Sequence, residues 1–242
     1  MFAAIPKLRL SDTVYEQLMD RIVDRSLSPG AELPAERLLA EKLGVNRGAV
    51  REALKRLQQA GLIQIRQGGN SVVLDYESEG GLELLPSLLT DARGQLNPAV
   101  ARSIMAMRSS LAPDIAASAA KKGGEKLANE LDDILRRMRA TAGNTAALQV
   151  LAHDFWKRLV ECGGNIAYRL AFNSMNKTYK AIWKLLTQVL EPEFRDFDNL
   201  QRLANAVRAG DERSAAECAR LHVEIGRNAL TKTLNAYQQA KS

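Results

Sequence analysis

The first pattern along the chain is a run of apolar residues at helical spacing in residues 11–27. Val14, Leu18 and Ile22 recur four residues apart, which predicts an amphipathic helix with one buried face. The Ser-Pro-Gly segment at residues 28–30 is turn chemistry and ends that helix.

Two shorter helical segments follow, with only a brief turn between them. The first covers residues 36–43 and stops at Gly44, a residue type common just after a helix. Asn46 is a good N-cap and opens the second, over residues 47–60. Two short helices joined by a glycine-containing turn are typical of a helix-turn-helix.

A β-hairpin is predicted next, from residues 62–66 and 71–74. Both runs are β-prone, and the Gln-Gly-Gly-Asn segment at residues 67–70 separates them as a turn would. Three helices followed by a hairpin predict an N-terminal winged helix-turn-helix domain over residues 1–75.

The pattern changes after an acidic, glycine-containing stretch at residues 76–81, which we interpret as a linker. From residue 82 onward no strand pattern is evident, and helical periodicity is interrupted by Gly, Pro and Asn. This predicts roughly six or seven helices of about 12 to 28 residues. The expected fold class is therefore mainly α, with an all-α helical bundle over residues 82–242 for effector binding and dimerisation.

Composition narrows the class of protein. The chain has 242 residues, a formal net charge of +6 and two cysteines, too few for a disulfide scaffold. About half of the positive excess lies in residues 1–74.

No window resembles a membrane span or a secretory signal, which predicts a soluble, cytoplasmic protein. No phosphate-binding loop or nucleophile motif is present, so an enzyme is not expected.

The third predicted helix carries the chemistry of DNA reading at its start. Arg47 and Arg51 lie four residues apart and therefore on one side of that helix. Arginine bidentate to guanine is the commonest specific contact in the major groove. Between them, the small residues Gly48 and Ala49 allow the helix N-terminus to approach phosphates closely. Arg37, early in the second helix, is placed to reach the same groove edge.

The segment over residues 29–73 resembles the winged helix-turn-helix of the GntR family of bacterial transcription regulators. The match includes Leu-Pro-Ala-Glu-Arg at residues 33–37, Leu-Gly-Val at 43–45 and Val-Arg-Glu-Ala-Leu at 50–54. Two departures are visible, Asn46 where Ser or Thr is usual and Gly69 where a basic residue is expected at the wing tip. The resemblance implies a set of DNA-contacting residues: Arg37, Asn46, Arg47, Gly48, Ala49, Arg51, Gln67, Gly68 and Gly69.

The helical domain behind such a head resembles the FadR subfamily, which has two branches. One holds a metal through an Asp and three His, and senses small carboxylates. Here the matching positions are Ala152, Trp156 and about Leu200, so only His222 remains, and the chain has two histidines in all. One imidazole is a poor metal site, so no metal and no resident cofactor are expected.

The other branch responds to fatty acyl-CoA, and residues 165–179 are similar to its Asn-x-x-Tyr-x-Leu-x-x-Asn-x-Met…Tyr helix. This resemblance implies effector-binding residues: Arg108 as the anion anchor, with Tyr168, Asn173, Tyr179 and His222 lining the site. A structural reading remains open, with the tyrosines only in the core and His222 a satisfied buried histidine. The region around His222 also lacks the aromatic residues expected to hold a CoA adenine.

The sequence thus predicts a transcription regulator that binds a short palindromic double-stranded operator as a homodimer and responds to a fatty acyl-CoA or fatty acid. Two alternatives stay open. One is the same role with a small organic acid as effector, with or without a degenerate metal site. The other is a nonspecific architectural DNA-binding protein. No membrane partner is expected.

Overall fold

The structure of the protein is a computed structural model that describes residues 10–66, 70–90 and 95–239. The chain divides into two compact units, Met1–Gln95 and Leu96–Ser242. No helix within the described ranges is long and apolar enough to cross a membrane.

The first unit is a winged helix-turn-helix, as predicted. Its elements are helices α1 (Leu10–Val23), α2 (Glu36–Leu43) and α3 (Arg47–Gln59), and strands β1 (Ile63–Gln64) and β2 (Val72–Val73). The strands pair antiparallel, with Ile63 opposite Val73. Val14, Ile22 and Leu57 are among the buried residues of its core, so the helical periodicity of the sequence marks the buried face.

The helix boundaries follow their capping residues. Gly44 adopts a left-handed conformation, and its N–H closes the end of α2 on carbonyls of the last turn. The predicted first helix instead ends earlier than residue 27. Arg25 has a φ of 63°, a left-handed backbone that stops α-helical continuation.

Residues 76–81, predicted as a linker, are partly helical and pack on the first unit. They contain α4 (Tyr76–Glu79), followed by a 3₁₀ turn (Leu82–Leu84) and α5 (Leu85–Leu89). Leu84 is buried in the core of the winged unit, and Tyr76 and Leu88 pack against it. Arg25 adds an ion pair with Asp75 at 3.0 Å. The division of the chain therefore falls after Gln95, later than the boundary predicted at residue 82.

The second unit is all-α, as the pattern predicts. Within the described ranges its helices are α6 (Pro98–Ala140), α7 (Thr145–Gly163), α8 (Ile166–Ala181), α9 (Trp183–Val189), α10 (Glu191–Phe194), α11 (Phe197–Ala209) and α12 (Glu212–Gln239). Helix α6 packs against α7, α11 and α12. Gly124 kinks α6 with φ 52° and ψ −151°, a conformation that an L side chain rarely adopts.

Candidate functional site

The start of α3 is shaped by its cap. The Asn46 side chain accepts a hydrogen bond from the Ala49 N–H at 2.9 Å, which satisfies one donor of the first turn. A Cβ on Gly48 would lie 3.2 Å from Asn46 Oδ1, so glycine leaves this cap undisturbed. Ala49 is buried. The Ala49 side chain therefore does not face solvent, where DNA would bind. It is small and packs the start of α3 on the core.

The three predicted arginines have different surroundings. Arg47 is exposed, and no ion pair joins it to a residue that the structure describes. Arg51 is also exposed, but Glu36 holds it through Nη2 at 2.8 Å and Nε at 3.1 Å, and this hydrogen-bonded contact raises the pKa of Arg51. Arg37 pairs with Glu41 at 3.1 Å, one turn along α2. All the guanidinium N–H donors of Arg47 are therefore available to an incoming acceptor.

The wing tip, predicted to contribute Gln67, Gly68 and Gly69, lies outside the described residues. The base of the wing is described on both sides. Asn70 donates to Glu32 at 3.2 Å, and Arg66 lies 3.9 Å from the same carboxylate. Glu32 thus joins the two flanks of the turn to the loop before α2.

The Asn46 cap gives a first prediction. Asn46→Ala should lower the free energy of unfolding of the winged unit by about 0.5–2 kcal/mol, because the Ala49 N–H loses its acceptor. Asn46→Ser restores an acceptor and should recover most of the loss. Urea unfolding followed by circular dichroism measures both. Equal losses in the two variants would show that the cap does not stabilise this helix.

The second unit contains a cavity with mainly apolar walls and a volume of about 70 Å³. Helices α6 to α10 supply its wall. The lining residues are Arg108, Leu111, Ala112, Ile115, Gln149, Ala152, His153, Trp156, Phe172, Met175, Asn176, Tyr179, Trp183, Leu186, Leu190, Glu193 and Phe194.

A buried ion pair forms the polar end of this cavity. Arg108 donates through Nη1 to Glu193 Oε2 at 2.7 Å, and through Nη2 to Oε1. The side chains are 12% and 2% exposed. Burial by itself would lower the pKa of Arg108, but the Glu193 carboxylate offsets this and raises it. The two side chains form an ion pair by their geometry, and their charges cancel.

The carboxylate of Glu193 has little room to move. A Cβ on Gly226 of α12 would lie 1.8 Å from Glu193 Oε2, so only glycine allows this close approach. His222, also on α12, has Nε2 3.6 Å from Oε1 and Nδ1 2.9 Å from Asp196. Burial would raise the pKa of Asp196, but hydrogen bonds from His222 and Asn199 lower it overall. Together these contacts hold Glu193 against Arg108.

Two neutral donors on the cavity wall lack partners. Neither Trp156 Nε1 nor Tyr179 Oη has a hydrogen-bond partner among the described residues, and both atoms are fully buried. Burial raises the pKa of Tyr179, with Arg108 lowering it and Glu193 raising it as smaller effects. Buried polar groups are usually paired, so these two donors are exceptions within the described residues.

The structure brings together only part of the predicted effector set. Arg108 and Tyr179 both line the cavity. His222 lies behind its wall, 1% exposed and in contact with Glu193. Tyr168 instead donates to Asp114 at 3.1 Å, and Asn173 is exposed. Neither of these two residues lines the cavity. Asn173 lies on another face of α8, whereas Tyr168 lies on the lining face one turn before Phe172, beyond the end of the cavity.

Sequence reasoning missed two residues of this site. Glu193 follows a proline in a short helix and carries no motif. Trp156 entered the prediction only as the position where a histidine was absent. Ala152 likewise stands where the metal-binding branch has an Asp. Trp156 and Ala152 both line the cavity. No group of three or more His, Cys, Asp or Glu in the described parts of the chain is placed to hold a metal.

Comparison with known families gives two matches. The family described as "Bacterial regulatory proteins, gntR family" matches residues 10–73. The FCD domain matches residues 103–225. The first match covers the winged unit with its α3 arginines, and the second covers most of the helices around the cavity.

Individual relatives agree with these matches. The chain is 35% identical over 230 residues to the HTH-type transcriptional regulator Mce2R of Mycobacterium tuberculosis, covering 95% of each protein. It is 28% identical over 167 residues to the fatty acid metabolism regulator protein of Yersinia pestis, covering 69% of this chain and 68% of that one. A solved structure of Lar, which controls the Listeria monocytogenes agr system, has a TM-score of 0.58 at 16% identity, covering 95% and 99%. That last likeness concerns the fold alone.

Proposed function

Since the chain belongs to the gntR family of bacterial regulatory proteins and is a DNA-binding transcriptional regulator, we propose that a small apolar effector in the helical cavity controls its affinity for DNA. The effector class we propose is a fatty acyl-CoA or a fatty acid. The observation that carries this proposal is a cavity with apolar walls and one polar end in the second unit.

On the DNA side, two copies of the chain would bind a short palindromic operator as a homodimer. Two-fold symmetry of a protein dimer requires half-sites of matching symmetry, about one helical turn apart. In each copy, Arg47 would read a base edge, and the first turn of α3 would face the backbone phosphates. Arg51 and Arg37 would also contact the DNA. Their ion pairs with Glu36 and Glu41 already fix their orientation.

On the effector side, the wall chemistry supports an acyl chain. Leu111, Ile115 and Met175 are among the apolar residues that face the cavity, and apolar walls with a few polar groups are typical of lipid and cofactor sites. A relative named as a fatty acid metabolism regulator points the same way. An acyl chain would have to widen the cavity, because about 70 Å³ is less than its volume.

The small volume favours a second candidate, a small organic acid. Such a ligand needs less room than an acyl chain and would therefore displace the walls less. The two candidates differ in how affinity depends on chain length. Affinity for acyl ligands should rise with each added methylene by about 0.8 kcal/mol, whereas a small acid should lose affinity when lengthened.

Tryptophan fluorescence gives a direct test. The chain has two tryptophans, and both line the cavity, so their emission reports on its occupancy. Palmitoyl-CoA, decanoate and succinate would be titrated against the full chain, with operator binding measured in parallel. We expect the acyl ligands to change the emission and to weaken operator binding. A response to succinate alone would favour the small acid.

The salt dependence of DNA binding tests the architectural alternative. A specific regulator keeps a large ratio of operator to random-DNA affinity as salt rises, because base contacts do not depend on counterion release. We expect a ratio of at least about 10³. A ratio near one at every salt concentration would contradict sequence-specific regulation.

A further inference from the structure

The side chains of Arg51 on α3 and Glu36 on α2 form a contact through two nitrogens between the helices of the helix-turn-helix. Arg51 Nη2 lies 2.8 Å from Glu36 Oε2, and Nε lies 3.1 Å from the same oxygen and 3.2 Å from Oε1. The carboxylate therefore engages the one edge of the planar guanidinium that carries Nε–H and an N–H of Nη2. A contact through two nitrogens fixes the plane of the group, which a single hydrogen bond does not.

The tip of the Arg51 guanidinium is left over from this contact. The group has five N–H donors, and Glu36 accepts from Nε and from Nη2. At the tip, one N–H of Nη1 and the second N–H of Nη2 point in parallel, and neither has a hydrogen-bond acceptor among the residues that the structure describes. The Arg51 side chain is 62% exposed, so solvent and DNA can reach the tip. Two parallel donors match the N7 and O6 acceptors of guanine in the major groove.

The charge of Glu36 affects which acceptor this tip prefers. A phosphate carries a full negative charge, so the neighbouring carboxylate repels it and offsets part of its attraction to Arg51. A guanine edge carries only partial charges, so it loses much less attraction and keeps two directional hydrogen bonds. The ion pair therefore favours a base edge over a phosphate at Arg51. Arg47, which has no ion pair in the described structure, has no such bias.

The position of Glu36 in its helix stabilises the carboxylate. Glu36 is the first residue of α2, where the free backbone N–H groups leave a positive partial charge. The N-cap residue Ala35 makes no side-chain hydrogen bond to them, so Glu36 supplies the negative charge of this first turn. An exposed ion pair is weak in water. Duplex DNA that covers the pair excludes water and strengthens the attraction between its two charges.

We propose that Glu36 is a positioning residue for DNA recognition, which holds one edge of Arg51 so that the free tip of the guanidinium reads a guanine instead of binding a phosphate. The inference rests on the proposed function, because it requires specific operator binding. It deepens that function by adding a carboxylate to a set of cations, and Glu36 is not among the DNA contacts that the family resemblance implies.

Glu36→Gln tests the proposal, because it removes the charge and keeps the size of the side chain. The full-length parent chain first selects its preferred operator from a library of random duplexes, and each base pair of that operator is then changed in turn. Fluorescence anisotropy should show the ratio of operator to random-DNA affinity falling about tenfold in Glu36→Gln, with the loss concentrated at one base position of each half-site. Random DNA should bind more tightly. The slope of log K against log salt concentration should steepen by about 0.9 for each half-site, as expected for one further phosphate contact.

A double-mutant cycle with Arg51→Ala separates positioning from a direct effect of Glu36. Arg51→Ala identifies the base position concerned. Once Arg51 is absent, Glu36→Gln should change the preference at that position by less than about twofold. Glu41→Gln is the matched control, since it removes the same charge from an exposed ion pair on α2, with Arg37. It should leave the preference at the Arg51 position unchanged.

The other outcomes would overturn the proposal. An equal loss of preference with and without Arg51 would show that Glu36 acts on DNA by itself. A lower unfolding midpoint in Glu36→Gln, with operator and random DNA weakened equally, would mean that the ion pair only joins α2 to α3. If Arg51→Ala alters no base preference, the proposal fails while base reading by Arg47 stands. A parent chain that selects no sequence from the library would instead contradict the proposed function itself.

Discussion

Arg47→Ala should weaken binding to the operator by about 1–3 kcal/mol and relax the preference at one base position. Arg47 is exposed at the start of α3, and no ion pair in the described structure occupies its guanidinium. Its donors are therefore free to contact a guanine edge, which is the commonest specific contact of an arginine in the major groove. Fluorescence anisotropy on the operator, and on operators with each base pair changed in turn, measures both effects.

Arg47→Lys is the matched control, since it keeps the positive charge and loses the planar fork. It should retain nonspecific affinity and its salt dependence, yet lose most of the base preference. If Arg47→Ala weakens operator and random DNA equally, Arg47 is a phosphate contact and another residue reads the base.

Arg51→Ala should affect DNA binding differently from Arg47→Ala, because Arg51 has an ion-pair partner in the free protein. Glu36 holds Arg51 through two nitrogens in the free protein. The substitution removes a cation and also leaves the Glu36 carboxylate without its partner, so part of the loss comes from a new unpaired negative charge facing DNA. Sequence spacing placed Arg47 and Arg51 on one side of a helix, and it could not show this difference between them.

The sequence predicted what depends on local chemistry. Gly44 and Asn46 act through the backbone of their own helix ends, so their effect is readable from a few neighbouring letters. The predicted linker was wrong in part for the opposite reason. Tyr76 of that stretch packs against a core assembled from residues far away in the chain. An acidic, glycine-containing stretch gives no local sign of that packing.

The same limit applies to the cavity. Arg108 was predicted as an anchor for an anionic ligand from a family resemblance. Its actual partner, Glu193, is 85 positions away, and no motif links the two. A pair of this kind becomes visible only when α6 and α10 are placed side by side. The placement changes the expected chemistry, since Glu193 already occupies the cation that was predicted to anchor an anionic ligand.

Arg108→Met should destabilise the helical unit by about 3–5 kcal/mol. The substitution leaves the Glu193 carboxylate buried without its cation, and this uncompensated charge costs far more than the lost contact. Urea unfolding followed by tryptophan emission isolates the helical unit, because Trp156 and Trp183 both line its cavity. Protein concentration is held fixed, so that any dimerisation contributes equally to each variant.

Two comparison variants separate this cause from simple loss of packing. Arg108→Met with Glu193→Gln makes both positions uncharged and should recover most of the stability, because no buried charge is left unpaired. Arg220→Met removes an exposed ion pair with Glu217 and should cost at most about 1 kcal/mol. If Arg108→Met costs no more than Arg220→Met, the Arg108–Glu193 pair is hydrated in solution. The polar end would then be open to water and to a charged ligand.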